Sequence, residues 1–540
     1  MLSLRIALNT LHLFSQISGL KLNYSKTEVL PVNVQASKLK PFRLKIVEKA
    51  CSLGIWYHLK QDETISENYK LRLNDFAKTL NLWRAQNLTL IGKTTVIKTL
   101  AFPKLIHVIA NTETPEWFVI ETQKQIFDFL WNGKPPKVKN SVIVNSEANG
   151  GLKVPQVDIF VKAQKLGWIK RMVLNENAGW LELLKTYMPE MPVRHLLKCN
   201  IDPNELSDGL PAFYRQVLYA WYSQNQSELT QPLEMQREYI WLNKFIRVDN
   251  QSLFNKGLFD AGVICINDIL NADGHFLTYK HFIDKFTVKA SHMYYISLID
   301  AIPQKWRQAL KRARISLNAV STEELPHTKI KGRDKPVTLT ATREYYWKMM
   351  SDIEGVPSCY NAWAERINLS YNQEDWQKIF MLPKQCIRDT RILDMQYKII
   401  HRCYATESII CKWDPNVQEN CTKCHKKANI IHNFYLCPEI KQFWQNIEGI
   451  AVNNLNMPGV ELSLCNVLFG KPPVVHYKLL NHLILHAKYH LHCAKKQNRP
   501  ISNIHFVNYY KKIVEIEKER YSLVNKMKDF ERVFGQVTFE

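Results

Sequence analysis

The chain has 540 residues, 46% of them hydrophobic, with 72 Lys and Arg against 50 Asp and Glu for a formal net charge of +22. That length allows two to four domains, each with its own core. The charge favours a polyanionic partner without separating nucleic acid from an acidic membrane surface, and the lack of any run of about 18 apolar residues argues against a transmembrane helix.

The opening "MLSLRIALNTLHLF" lacks a basic segment ahead of its apolar stretch and a small-residue cleavage site, so it reads as an amphipathic helix cut open at its beginning and not as a signal peptide. "GLKLNYSKTEVLPVN" and "CSLGIWYHL", within residues 19 to 57, are short alternating or apolar runs that predict strands or a hairpin edge. Helical spacing follows, with Leu73, Phe76, Leu80 and Trp83 on one face.

"LTLIGKTTVIKTL" contains Gly92-Lys93-Thr94-Thr95, which invites a phosphate-loop reading. A phosphate loop needs a glycine five positions before Gly92, to turn backbone amides around the phosphates, and that position is Asn87. The segment is expected to be a helix in which Leu90, Ile97, Leu100 and Ala101 share a face and leave Lys93 and Lys98 free to reach solvent. Pro103 should end or kink it.

Thr114 as N-cap, Pro115 at the first helical position and Glu116 at the positive end of the dipole predict the next helix. It should run through Ile126, Phe127, Leu130 and Trp131 and stop at Gly133. "KPPKVKN", with Lys134 and Lys137, is an exposed basic connector. "NGGLKVP", residues 149 to 155, is a second break; both read as solvated linkers or as phosphate-contacting loops. Residues 156 to 385 are mostly helical by pattern, with no fixed repeat. "INDILNADGHFLTYKHF" has half the look of a calcium loop, but Ile269 stands where the first acidic ligand should be, so a turn followed by a helix cap is expected. The last 75 or so residues return to helical spacing.

Twelve cysteines are scattered without the density of a disulfide scaffold, which implies a reducing, intracellular compartment. Cys421, Cys424, His432 and Cys437 form the pattern C-x2-C-x7-H-x4-C. Two thiolates from a tight turn, closed by a later His and Cys, suit tetrahedral zinc with no position left for an activated water, hence a structural ion. His425 is a rival ligand, but it directly follows Cys424 and would strain the turn. Lys423, Lys426 and Lys427, with Phe434 and Tyr435, add charge and stacking faces that suit single-stranded nucleic acid. His482, His486 and His490 also share a helical face, but without the glutamate order of a zinc hydrolase they are expected to pack and not to ligate.

Taken in order, "SGLKLNYSKTEVL", "LGIWYHL", "LTLIGKTTVIKTLAFPKLIHVI", "FDFLWNGK", "NGGLKVPQVDIF", "INDILNADGHFLTYKHF", "AIPQKW" and "IHNFYLCPEIKQFW" resemble the carboxy-terminal half of a LINE-type non-LTR retrotransposon reverse transcriptase. The resemblance implies a mainly α, multi-domain protein: residues 1–59 a remnant of the palm edge with a primer-grip-like hairpin at Ser52 to Ile55, 60–145 a helical thumb, 146–385 a helical connector, 386–470 a zinc-knuckle domain and 471–540 carboxy-terminal helices. It places Lys26 near an incoming nucleotide and Lys93 on a backbone phosphate, with Lys98, Lys134 and Lys137 as further thumb contacts. The implied partners are RNA and RNA/DNA hybrid, in cytoplasm or nucleus, with the oligomeric state open.

The family's polymerase needs paired aspartates for two metal ions, and this chain contains no Asp-Asp. Met1 falls just after the point where that pair should lie, and the fingers, most of the palm and the amino-terminal endonuclease are missing from the match. Magnesium is therefore expected only for the intact parent enzyme, and the chain is expected to bind nucleic acid without copying it alone. Two alternatives belong to other classes: part of an active polymerase, through a misassigned start or a palm supplied by another polypeptide, and a host-adopted structural or interaction protein.

Overall fold

Three- and four-residue apolar spacing dominates the sequence after residue 60, and the backbone follows it. In a computed structural model, which describes residues 2–188, 190–206, 209–224, 229–313, 326–330, 333–368, 371–472 and 474–539, helix accounts for 60% and strand for 6%. The mainly helical class expected from the sequence holds. The strands form small two-stranded sheets. Two compact units emerge, one from residues 1–74, 104–122 and 157–352, the other from 75–103, 123–156 and 353–540. Among the described residues no helix is long and apolar enough to cross a membrane.

The first unit begins with the helix Leu2–Ser18, which leaves Ile6, Leu13, Phe14 and Ile17 exposed. The expected hairpin is present: Lys49–Ser52 pairs antiparallel with Ile55–His58 across Leu53 and Gly54. Both turn residues have positive φ, 49° and 79°, the pair of conformations that matches a two-residue turn to strand twist. Thr114 does not cap its helix, which starts at Glu116; its hydroxyl bonds the buried Tyr69 hydroxyl instead, at 2.9 Å. The centre of the unit is the helix Val157–Leu174, packed against Ala212–Tyr222 and Thr342–Ser351. "NADG" forms a turn closed from Gly274 N–H to the Asn271 carbonyl, and Thr278 caps the helix Tyr279–Phe286 as expected.

Sequence pattern gave no warning of Lys165, which is 1% exposed inside this unit. Its ammonium donates to the Ile109 carbonyl at 2.9 Å and to that of Thr112. These carbonyls belong to the end of the helix Pro103–Asn111, where intrahelical donors run out, so the lysine serves as a buried C-terminal cap.

In the second unit "IGKTTV" is helical, Leu90–Val96, with the Thr89 side chain accepting from Gly92 N–H at 3.0 Å. No phosphate cradle exists there. The helix passes into a π turn, Ile97–Ala101, closed from Phe102 N–H to the Ile97 carbonyl, and the turn absorbs the break before Pro103. The expectation that Lys93 reaches solvent is corrected: it is 6% exposed. Its ammonium donates to the Phe129 and Leu130 carbonyls at 2.9 and 3.1 Å and to Asn132 Oδ1 at 2.6 Å. The helix Glu116–Trp131 ends there, with Asn132 and Gly133 both at positive φ as the Gly133 stop predicts. Lys98 is likewise half-buried, donating to the Leu152 carbonyl at 3.0 Å, and burial lowers its pKa to about 8.

"NGGLKVP" is not a solvated linker. Gly150 and Gly151 are buried, and the Gly150 carbonyl accepts from His401 Nε2 at 2.9 Å. A side chain on Gly151 would place its Cβ 2.1 Å from the Asn145 carbonyl oxygen, so only glycine fits. The rest of this core joins the helices Gln373–Cys386, Thr390–Ile400, Pro438–Asn453, Val474–Lys496 and Asn503–Leu523. His482 and His486 face tyrosines, with Nδ1 to Tyr510 Oη at 3.0 Å and to Tyr509 Oη at 2.7 Å, and burial lowers both pKa values. Both rings pack against these tyrosines.

Burial lowers the Lys165 pKa from 10.5 to about 7. Between those values the unfolded chain holds a proton that the folded chain has lost, so stability contributed through this residue rises with pH. Urea unfolding of wild type and Lys165→Met should show the wild type gaining on the variant from pH 7 to about 10. A pH-independent difference would contradict this.

Candidate metal centre

The Cys421 and Cys424 thiols sit on a turn set by the backbone. Cys421 N–H donates to the Lys426 carbonyl at 2.8 Å and His425 N–H to the Cys421 carbonyl at 2.9 Å. Asn420 and Lys427 bridge the open end. His425 takes φ +56° and is exposed, a conformation most side chains avoid; its ring stays outside the cluster, as the strain argument anticipated. The second pair of donors comes from a π turn, His432–Leu436, that leads directly into the helix starting at Pro438. An extra residue in that turn brings His432 and Cys437 round to the same side, with Cys437 N–H bonded to the His432 carbonyl at 3.2 Å.

One donor atom from each of Cys421, Cys424, His432 and Cys437 lies within 4.8 Å of the others. His432 Nε2 stands 3.4 Å from Cys424 Sγ, and the His432 backbone N–H is held by Asn429 Oδ1 at 3.0 Å. Burial opposes ionisation of Cys421, but the amides of Lys423 and Cys424 and the neighbouring thiols outweigh it and its pKa falls. Burial and the adjacent Cys421 push the Cys437 thiol up to about 11. Thiols that titrate apart in this way share a charge they cannot all carry, which a divalent cation would neutralise. Three soft sulfurs and one imidazole nitrogen fit zinc and leave no carboxylate for a hard cation.

The remaining expected contacts divide. Lys423 and Lys426 are exposed on the cysteine turn and make no ion pair among the described residues, whereas Lys427 pairs with Glu419 at 2.6 Å. Tyr435 is half-buried. Phe434 is corrected as a stacking face: it is 1% exposed, packs edge-on against Tyr404, and its carbonyl accepts from Trp444 Nε1 at 2.7 Å. The π turn that presents His432 and Cys437 to the cluster turns Phe434 into the core. Lys134 and Lys137 are exposed in the other part of this unit, and Lys26 is exposed in the first unit.

A cavity of about 720 Å³ lies beside the cluster and is shared with the end of the helix Val474–Lys496. Lys423, Lys495 and Arg499 line it with Glu407 and Glu439 and the amides of Asn416, Asn420 and Asn498, and Lys495 is paired with Glu407 at 2.6 Å. Spacing within the cysteine motif could not reveal this wall, because six of its nineteen residues, from Leu491 to Ile501, lie more than fifty positions beyond Cys437. No family model matches the chain.

Replacing Cys437 by serine should remove the one donor that also begins a core helix. We expect loss of bound metal by elemental analysis and a destabilisation of more than about 3 kcal/mol in urea unfolding. Unchanged stability in zinc buffer would exclude a structural ion.

Proposed function

We propose that the chain is the post-catalytic part of a non-LTR retrotransposon reverse transcriptase and that it binds RNA or RNA/DNA hybrid without polymerising alone. The observation that carries the reading is the four-donor cluster, whose turn presents Lys423 and Lys426 to solvent beside a cavity of about 720 Å³. Zinc would hold that turn, and the unpaired lysines would meet phosphates. The cavity amides offer donors and acceptors suited to base edges, the mode by which proteins read unstacked RNA. The ordered resemblance supplies the family, and the excess of 72 basic over 50 acidic residues supports a polyanionic partner. Without an Asp-Asp pair the 540 residues lack the acidic groups that polymerisation places on its metal ions.

Burial of Lys93 and Phe434 moves the proposed contacts from the thumb helix and the aromatic pair to the cysteine turn. In fluorescence anisotropy with single-stranded RNA and with RNA/DNA hybrid, affinity should fall steeply with salt. Replacing Lys423 and Lys426 together by glutamine should reduce the slope of log K against log salt by about 1.4 for a single strand, at about 0.7 per phosphate contact. Failure of the wild type to bind either probe at low salt with zinc present would overturn the reading and favour an interaction protein of another kind.

A further inference from the structure

On the other flank of the metal turn, the second unit contains a cavity of about 280 Å³ in which all the charged lining residues are cationic: Arg366, Arg402 and Lys427. The three come from separate stretches of sequence, and Lys427 is already paired with Glu419 at 2.6 Å. Arg402 is held in place at positive φ, 56°, with Nη1 on the Ala362 carbonyl at 2.5 Å and its guanidinium 5.2 Å from the centre of the Trp363 ring. Desolvation, with Arg366 beside it, lowers the Arg402 pKa, and Glu365 acts in the opposite sense. Neither arginine has a carboxylate partner among the described residues. Both guanidiniums are exposed, and an anion held between them would offset their mutual repulsion.

The neutral lining points to the same ligand. Thr406 and Ser408 contribute hydroxyls, 3.1 Å apart and buried. Asn429 spends its carbonyl oxygen on the backbone N–H of His432, which leaves its amide nitrogen as a donor toward the cavity. The rest of the lining, Trp363, Ile409, Ile430 and Ile431, is apolar, and the guanidinium, amide and hydroxyl groups are matched by a tetrahedral oxyanion with several acceptor oxygens.

We infer that this cavity is a phosphate-binding site formed by Arg366, Arg402 and Asn429 on the flank of the metal turn. Where the chain binds nucleic acid, as proposed above, the site takes a phosphate of the strand, and Asn429 links it to His432 of the metal cluster. The same chemistry would accept a terminal phosphate, an internal phosphodiester or free inorganic phosphate, and the probes separate these sources.

The test uses the full chain loaded with zinc. Isothermal titration with inorganic phosphate, and anisotropy with RNA carrying a 5′-phosphate or a 5′-hydroxyl, are compared for wild type, Arg366→Gln and Arg402→Lys. Arg366 is exposed and makes no ion pair or side-chain hydrogen bond among the described residues, so its variant should keep the wild-type circular dichroism and melting curve while binding RNA about tenfold more weakly. Arg402→Lys keeps the charge but loses the fork and should weaken binding by a similar factor. A preference for the 5′-phosphate that vanishes in Arg366→Gln identifies a terminal phosphate; equal loss on both RNAs identifies an internal one. Inorganic phosphate binding that is lost in Arg366→Gln, with no RNA bound by any protein, would uphold the site and overturn the nucleic-acid reading. RNA binding that both variants leave unchanged would overturn the site and leave that reading standing.

Discussion

Three thiols and an imidazole drawn into one cluster are the constraint from which the second unit's functional surface follows. Left without a cation, Cys421 and Cys437 pull each other's ionisation in opposite directions. Cys421 and Cys424 pack against the core while Phe434 and Cys437 are part of it. An ion at this point would therefore fasten an exposed basic turn to a rigid base. That base already joins the helices Pro438–Asn453 and Val474–Lys496. Both cavities depend on it, since one uses Cys421 and Lys423 and the other Lys427 and Asn429.

A second theme runs through both units independently. Helix ends leave carbonyls without donors, and this protein repeatedly answers them with a buried lysine amino group. Lys165 does so in the first unit and Lys93 in the second. Lys488 joins them, fully buried, donating to Gln396 Oε1 at 2.6 Å and to the Leu468 carbonyl at 3.3 Å. These lysines are therefore structural, and counting them overstates the positive surface available to a polyanion.

How much was legible in the sequence depends on the range of the interaction. The metal donors were read from spacing alone because a turn and the helix that follows it bring them together locally. The Gly133 stop, the hairpin at Leu53 and Gly54 and the packed histidines were local too. Lys93 and Phe434 were misjudged for one reason: periodicity assigns a residue to a face but does not say what meets that face. Lys93 meets a helix end some forty residues away, and Phe434 lies inward because a π turn shifts the phase of its helix. "NGGLKVP" was misjudged because glycines that permit a solvated loop also permit close backbone packing. Arg366 and Arg402 carry no local signal, and only the fold brings them to one cavity.

The claim that everything rests on is that the four donors bind one metal ion as a tetrahedral thiolate site. Cobalt(II) titrated into the metal-stripped full chain reads this directly, because its spectrum reports both ligand type and geometry. The account predicts saturation at one equivalent, with thiolate-to-metal charge-transfer absorption and intense tetrahedral ligand-field bands that zinc abolishes on displacement. Weak octahedral absorption, or no saturation at one equivalent, would contradict it.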